Sequence, residues 1–266
     1  MFVTRNGARL YCRAEGSGEP CLLFVHGGGV DHSTWNEHLD HFAPRHRVVA
    51  VDLRGHGKSD PAPSYTADTF RDDLVAVIDQ LRLAPAVMVG ASRGGGIANR
   101  VAVDHPNRVK ALVLVDYVAA ARNTEAAPWA DPPEQTQALL ASLAADWKEH
   151  GARRLVDSWF PEPGVSDALK ERLANLCRYT PAEVVVEVRM RDLDEHDREE
   201  YLRRIHVPTL ILQSTHGPHQ GREQGRFIHE RVPGSRLHYF EGRGHGFFMS
   251  APEEFWQRIE EFLATL

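Results

Sequence analysis

Cysteine is scarce and scattered. Only Cys12, Cys21 and Cys177 occur among 266 residues. There is no Cys-x-x-Cys pair and no even set, which excludes a disulfide scaffold and a thiol frame for zinc or dithiol redox work. A reducing cytoplasm is the expected compartment. Positive charge is short as well: 31 Lys and Arg stand against 37 Asp and Glu, a formal net charge of −6, so there is no basic footprint for nucleic acid. No apolar run reaches the roughly 18 residues of a membrane span. Met1-Phe2-Val3-Thr4-Arg5-Asn6-Gly7 lacks the apolar core of a signal peptide, and the chain is expected to be neither exported nor membrane-spanning. Internal repeats and low-complexity tracts are absent. What is present is ordinary globular composition, 42% hydrophobic and 26% charged, on a chain long enough for one substantial core with an inserted segment.

The most informative stretch is Val87-Met88-Val89-Gly90-Ala91-Ser92-Arg93-Gly94-Gly95-Gly96, followed by Ile97-Ala98-Asn99-Arg100-Val101-Ala102. It reads as a buried strand, a sharp turn and a helix. Gly90 and Gly94 frame Ser92 in the Gly-x-Ser-x-Gly pattern, whose small residues let a strained turn expose the hydroxyl at the strand's carboxyl end. The N–H groups that open the helix lie where charge would develop on a substrate oxygen. A glycine-rich turn without chemistry is the competing reading.

In chain order, Phe2 to Thr4 and Leu10 to Ala14 form a hairpin around Asn6-Gly7. Cys21 to Val25 is a continuous apolar strand that delivers His26-Gly27-Gly28-Gly29. Trp35 to Phe42 reads as helical, and His46 to Val51 as a strand ended by Asp52-Leu53-Arg54-Gly55-His56-Gly57-Lys58-Ser59. Gly57-Lys58-Ser59 imitates a P-loop tail, but Asp52 stands where that pattern needs glycine, and Pro61 and Pro63 follow where it needs a helix. The spacing of Phe70, Leu74, Val77, Ile78 and Leu81 predicts a helix over 67–83. Val109 to Val115 is the sixth strand and delivers Asp116.

Alternating buried strands and amphipathic helices predict an α/β fold, a mostly parallel sheet of about eight strands covered on both faces. Ligands bind such sheets at the strands' carboxyl ends, where His26, Asp52, Ser92 and Asp116 all fall. From 117 to 206 the pattern turns proline-bearing and helical, with helices over 136–149 and 166–176 and an ambiguous Val184 to Val188 run. That segment is too long for a plain loop and is assigned as a helical lid after the sixth strand. Strands over 209–213 and 236–240 and helices over 222–231 and 252–266 complete the chain.

These parts in this order resemble the α/β-hydrolase family. The matching motifs are His26-Gly27-Gly28 after the third strand, Asp52 to Ser59 after the fourth, the serine elbow after the fifth and Gly242-Arg243-Gly244-His245 before the last helix. The resemblance spans the chain and implies a core built from residues 1–116 and 207–266, capped by 117–206. It further implies a serine hydrolase of a small ester or lactone, with an aromatic or polyketide-like metabolite among the options. Ser92 would be the nucleophile and His245 the base and acid, with the backbone N–H groups of Gly28 and Arg93 as the oxyanion hole. His26, Tyr117 and Trp159 are candidate substrate contacts, with loop support as the competing role for His26 and for His56. Trp129, Trp147 and Trp159 are candidates to line an apolar pocket.

The chain departs from the family at the acid. The usual carboxylate follows the seventh strand, but Gln213-Ser214-Thr215-His216-Gly217-Pro218-His219-Gln220 has none, and Gly217 stands at the expected place. Asp116 is the substitute expected, one strand earlier, since neighbouring strands lie about 4.8 Å apart. Glu223, a serine–histidine dyad and a lid carboxylate remain alternatives. An acid after the sixth strand resembles certain macrocyclic lactone hydrolases and cofactor-free hydroxyquinolone dioxygenases. The latter carry a histidine before the serine, where Ala91 stands here. A base-driven oxygenase using His245 and Asp116 is therefore the second reading, and a ligand-binding protein on a hydrolase scaffold the third. His216, His219 and Glu223 match no zinc motif, so neither a metal nor an organic cofactor is expected. The expected partner is a small-molecule substrate, not nucleic acid or membrane, and homodimer formation is left open.

Overall fold

The computed structural model describes residues 1–121, 123–194, 198–217 and 221–266. One eight-stranded sheet runs in the order β1-β2-β4-β3-β5-β6-β7-β8. Its strands are β1 Phe2–Arg5, β2 Ala8–Glu15, β3 Leu22–Val25, β4 Val48–Val51, β5 Ala86–Ala91, β6 Val109–Val115, β7 Thr209–Ser214 and β8 Arg236–Phe240. Strand β2 pairs antiparallel with β1 and β4, and all other neighbours are parallel.

The apolar strands are covered on both faces because alternate side chains leave in opposite directions. Met88, Leu112 and Leu114 meet helices α2 (Ala67–Leu81), α3 (Arg93–Asp104) and α9 (Gly221–Arg231). Val87, Val89 and Val113 meet α1 (Asn36–Phe42), the short α10 (Phe247–Ser250) and α11 (Pro252–Leu263). Helix α2 starts on Thr66, whose side chain accepts the Thr69 N–H, and stops at Arg82, left-handed with φ 54°. That stop falls before the 83 expected from apolar spacing alone.

Between β6 and β7 lie α4 (Pro133–Ala144), α5 (Ala152–Trp159), α6 (Asp167–Tyr179), α7 (Ala182–Asp194) and α8 (Arg198–Arg203). The helix expected over 136–149 is broken: α4 ends and a π-helical turn covers Trp147–Gly151. There the Trp147 indole donates to the carbonyls of Cys177 (3.2 Å) and Thr180 (3.0 Å). The ambiguous Val184–Val188 run is helical, within α7. Among the described residues no helix is long and apolar enough to cross a membrane.

Two buried histidines give the fold a pH dependence. His38 sits among Trp35, Phe248 and Phe255, and its Nδ1 accepts the Trp256 indole N–H at 2.8 Å. His56 is buried in the loop after β4. Burial lowers both from an ordinary 6.5 to about 3. Below pH 6.5 the unfolded chain takes up protons that these rings in the folded protein refuse, so stability falls as pH falls toward 3. From pH 6.5 to 5 the loss is about 2 kcal/mol per ring. Urea midpoints at pH 7 and pH 5 should differ accordingly. His38→Gln, which keeps an acceptor for Trp256 but does not titrate, should remove one ring's share of the slope, about 2 kcal/mol between pH 7 and pH 5. Equal midpoints in the unsubstituted protein would refute this assignment.

Candidate active site

The strand-to-helix turn after β5 is as tight as its glycines imply. Ser92 has φ 51° and ψ −117°, outside the regions ordinary side chains favour. A Cβ on Gly90 would fall 2.5 Å from the Gly94 carbonyl oxygen, and one on Gly94 would fall 2.3 Å from that of Val25. Serine is a favoured helix N-cap, yet the Ser92 side chain makes no capping bond. Its backbone N–H donates to the Val115 carbonyl at 2.7 Å, locking the turn to β6.

Asp116 ends β6, 2% exposed and with φ 45°. Its Oδ1 accepts the Ser214 N–H at 2.7 Å, and its Oδ2 accepts the Ser214 hydroxyl at 3.1 Å. The same Oδ2 lies 2.5 Å from Nδ1 of His245. A carboxylate ringed by donors acts as acceptor, which puts the shared proton on Nδ1 and the ring's lone pair on Nε2. The strand order explains the reach: β6 and β7 are paired, Val115 opposite Leu212. Gly217 lies beside the loop of the histidine, since a Cβ there would fall 3.6 Å from the His245 backbone nitrogen. The carboxylate that meets Nδ1 nevertheless comes from the neighbouring strand, and not from Glu223 on α9.

Ser92 and His245 open on one cleft of about 1110 Å³, its mouth included, between the sheet and the helices that follow β6. Gly28 and Arg93 line it beside Ser92. Its far walls are mostly apolar, with Leu140, Leu143, Trp147, Val185, Val188 and Phe248, and Arg189 of α7 also lines it. Arg93 opens α3, so its backbone N–H belongs to the first turn, whose donors point out of the helix end. Its guanidinium donates to the Val188 carbonyl at 3.1 Å, tying the elbow to α7. Gly29 is tied to the same region by Thr180, whose hydroxyl donates to its carbonyl at 3.2 Å.

The candidate substrate contacts divide. Trp159 lines the cleft with its ring centroid 6.0 Å from that of His245. Tyr117 lies outside it, packed on Gly95 and Gly96 and lining a second cavity of about 340 Å³ that also touches Ser92. His26 takes the loop-supporting role rather than a place in the cleft: it is fully buried, Nδ1 bonds the Gly27 carbonyl and Nε2 accepts the Leu53 N–H at 2.9 Å. Burial holds it neutral, below the ordinary histidine range, and both ring nitrogens are spent on loops. His56 is likewise buried and bonds the Arg54 carbonyl. Of the three tryptophans, Trp147 and Trp159 line the cleft, whereas Trp129 packs on Phe227.

Asp31, His32 and Asp52 bring ligand-type atoms within 4.8 Å of one another. Their valences go to the loop: Asp52 accepts the His32 N–H, its Nδ1–H and the Lys58 N–H, while Asp31 accepts the Ser33 N–H and hydroxyl. Pro218 and His219 of the segment weighed for metal binding lie outside the described residues. Sequence reasoning missed Ser214, which secures Asp116, and Glu162, whose carboxylate accepts the Gly244 N–H. Neither belongs to a local motif.

A family profile described as the alpha/beta hydrolase fold matches residues 20–252. A pimeloyl-[acyl-carrier protein] methyl ester esterase from Chromobacterium violaceum is 28% identical over 96% of this chain and 98% of its own. The 3-oxoadipate enol-lactonase 2 of Acinetobacter baylyi is 27% identical over 91% of this chain and 87% of its own. Among solved structures, an esterase from Exiguobacterium antarcticum superposes with a TM-score of 0.92 at 25% identity, covering 99% of both chains.

Proposed function

Because this chain belongs to the alpha/beta hydrolase fold family, we propose that it hydrolyses a small-molecule ester or lactone through an acyl-enzyme on Ser92. The observation that carries the reading is the 2.5 Å contact of His245 Nδ1 with Asp116, on a ring that shares a cleft with Ser92. Relatives named as an esterase and an enol-lactonase support the same bond class.

In the proposed reaction the Ser92 oxygen bonds to the substrate carbonyl carbon while its proton passes to Nε2 of His245. The N–H groups of Gly28 and Arg93 receive the oxyanion, each donor contributing on the order of 3 kcal/mol in comparable sites. Collapse breaks the carbon–oxygen bond to the leaving alcohol, which takes the proton from Nε2. Water then gives its proton to Nε2 and attacks the acyl carbon, and Ser92 departs with that proton. Asp116 fixes the ring and balances the imidazolium charge.

The helices between β6 and β7 act as the lid. Their largely apolar wall suits an apolar substrate portion of medium size. Stoichiometric labelling of Ser92 by a fluorophosphonate, abolished in Ser92→Ala together with turnover of neutral esters, is the expected result. No labelling and no turnover across a panel of esters and lactones would overturn the proposal. Turnover that survives Ser92→Ala but not His245→Ala would instead select the base-driven reading.

A further inference from the structure

The loop that carries His245 is gripped by four residues of the proposed lid, Trp159 to Glu162. The residue before it, Gly244, donates its N–H to Glu162 Oε2 at 3.0 Å. The residue after it, Gly246, donates its N–H to the Trp159 carbonyl at 3.1 Å. The other Glu162 oxygen, Oε1, accepts the Ser250 hydroxyl at 3.1 Å, so one carboxylate spans both ends of the loop and short helix that carry the histidine. Packing is equally close. A Cβ on Gly244 would fall 2.3 Å from Pro161 Cδ, and one on Gly246 would fall 2.1 Å from the Phe160 ring. The glycines around His245 are thus required by the 159–162 segment, not by the turn alone. Glu162 itself is only 9% exposed.

We infer that Glu162 is a positioning residue for proton transfer, holding the His245 loop against the lid so that Asp116 and Ser92 meet the two edges of one imidazole. The inference rests on the proposed role of His245. Glu162 touches no reacting atom; it acts through the backbone of Gly244. Its two oxygens face two donors, and the Ser250 hydroxyl can also accept. Glutamine can therefore keep both contacts, while alanine leaves the buried Gly244 N–H without an acceptor. Misplacement of a catalytic group by about 1 Å can cost on the order of 100-fold.

The test is steady-state kinetics on a neutral ester together with the rate of fluorophosphonate labelling. Glu162→Ala is expected to lower kcat by about 10- to 100-fold with KM changed less than about threefold, and to slow labelling in proportion. Glu162→Gln is expected to restore kcat to within about threefold, and Glu162→Ala should add no further loss in a His245→Ala background. Should the alanine variant not fold, Glu162→Asp, whose carboxylate is too short to reach both donors, should show the same kcat loss, rescued only by glutamine. Unchanged kcat in the alanine or aspartate variant, loss confined to KM, or equal loss in the glutamine variant would overturn the inference. If Ser92→Ala keeps its activity, the acyl-enzyme reading fails; if Ser92→Ala is dead and Glu162→Ala is not impaired, only this inference fails.

Discussion

Ser92→Gly is expected to abolish measurable ester turnover, a loss of about 10⁴-fold or more, and yet to make the protein more stable. The reason is the backbone. At φ 51° and ψ −117° a residue with a Cβ is strained by about 1–3 kcal/mol, held there because Gly90, Gly94 and the end of β3 leave the turn no other path. Glycine removes the strain but costs about 0.5–1 kcal/mol in chain entropy, for a net gain of roughly 1 kcal/mol, or about 2–4 °C in melting temperature. Ser92→Ala is the control: it loses the same hydroxyl and keeps the Cβ, so it should lose activity without the gain. A Ser92→Gly variant that melts below Ser92→Ala, as the entropy cost of glycine alone dictates, would mean that no strain is stored at the elbow.

Asp116→Asn is expected to lower kcat/KM by about 10³- to 10⁴-fold with little change in fold. Oδ1 faces the Ser214 N–H, and Oδ2 faces Nδ1 of His245. Whichever way an asparagine amide turns, its NH₂ meets a donor. Turned toward the histidine, it favours the tautomer with the proton on Nε2, which cannot then take the proton of Ser92. Fluorophosphonate labelling should slow by a similar factor, since it needs the same activated serine. A loss under about tenfold, with a large loss in Glu223→Gln instead, would move the acid to α9.

The serine elbow and the segment between β6 and β7 were unequally legible. Gly90, Ser92 and Gly94 lie within one short stretch, and their reason for being glycine is local, so the strand, turn and helix could be read directly. Apolar spacing placed α2, and continuous apolar runs placed β3, β5 and β6, because burial on one stripe or on both faces writes a period into the chain. The end of α2 at Arg82 and the break near Trp147 were not legible. Both depend on a left-handed residue or on an indole bonding carbonyls far along the sequence. Val184–Val188 was ambiguous because a short apolar run has no period to separate strand from helix.

By itself the sequence determined the layered α/β architecture, the glycine-framed serine turn and the absence of an acid in the segment after β7. These follow from neighbours a few residues apart. Only the tertiary structure decided that Asp116 meets His245 across 129 positions, that His26 spends both nitrogens on loops, and that Glu162, between β6 and β7, accepts the Gly244 N–H of the histidine loop. A hydrogen bond between distant residues is fixed by strand order and by how the insertion folds back, and neither leaves a mark on local spacing.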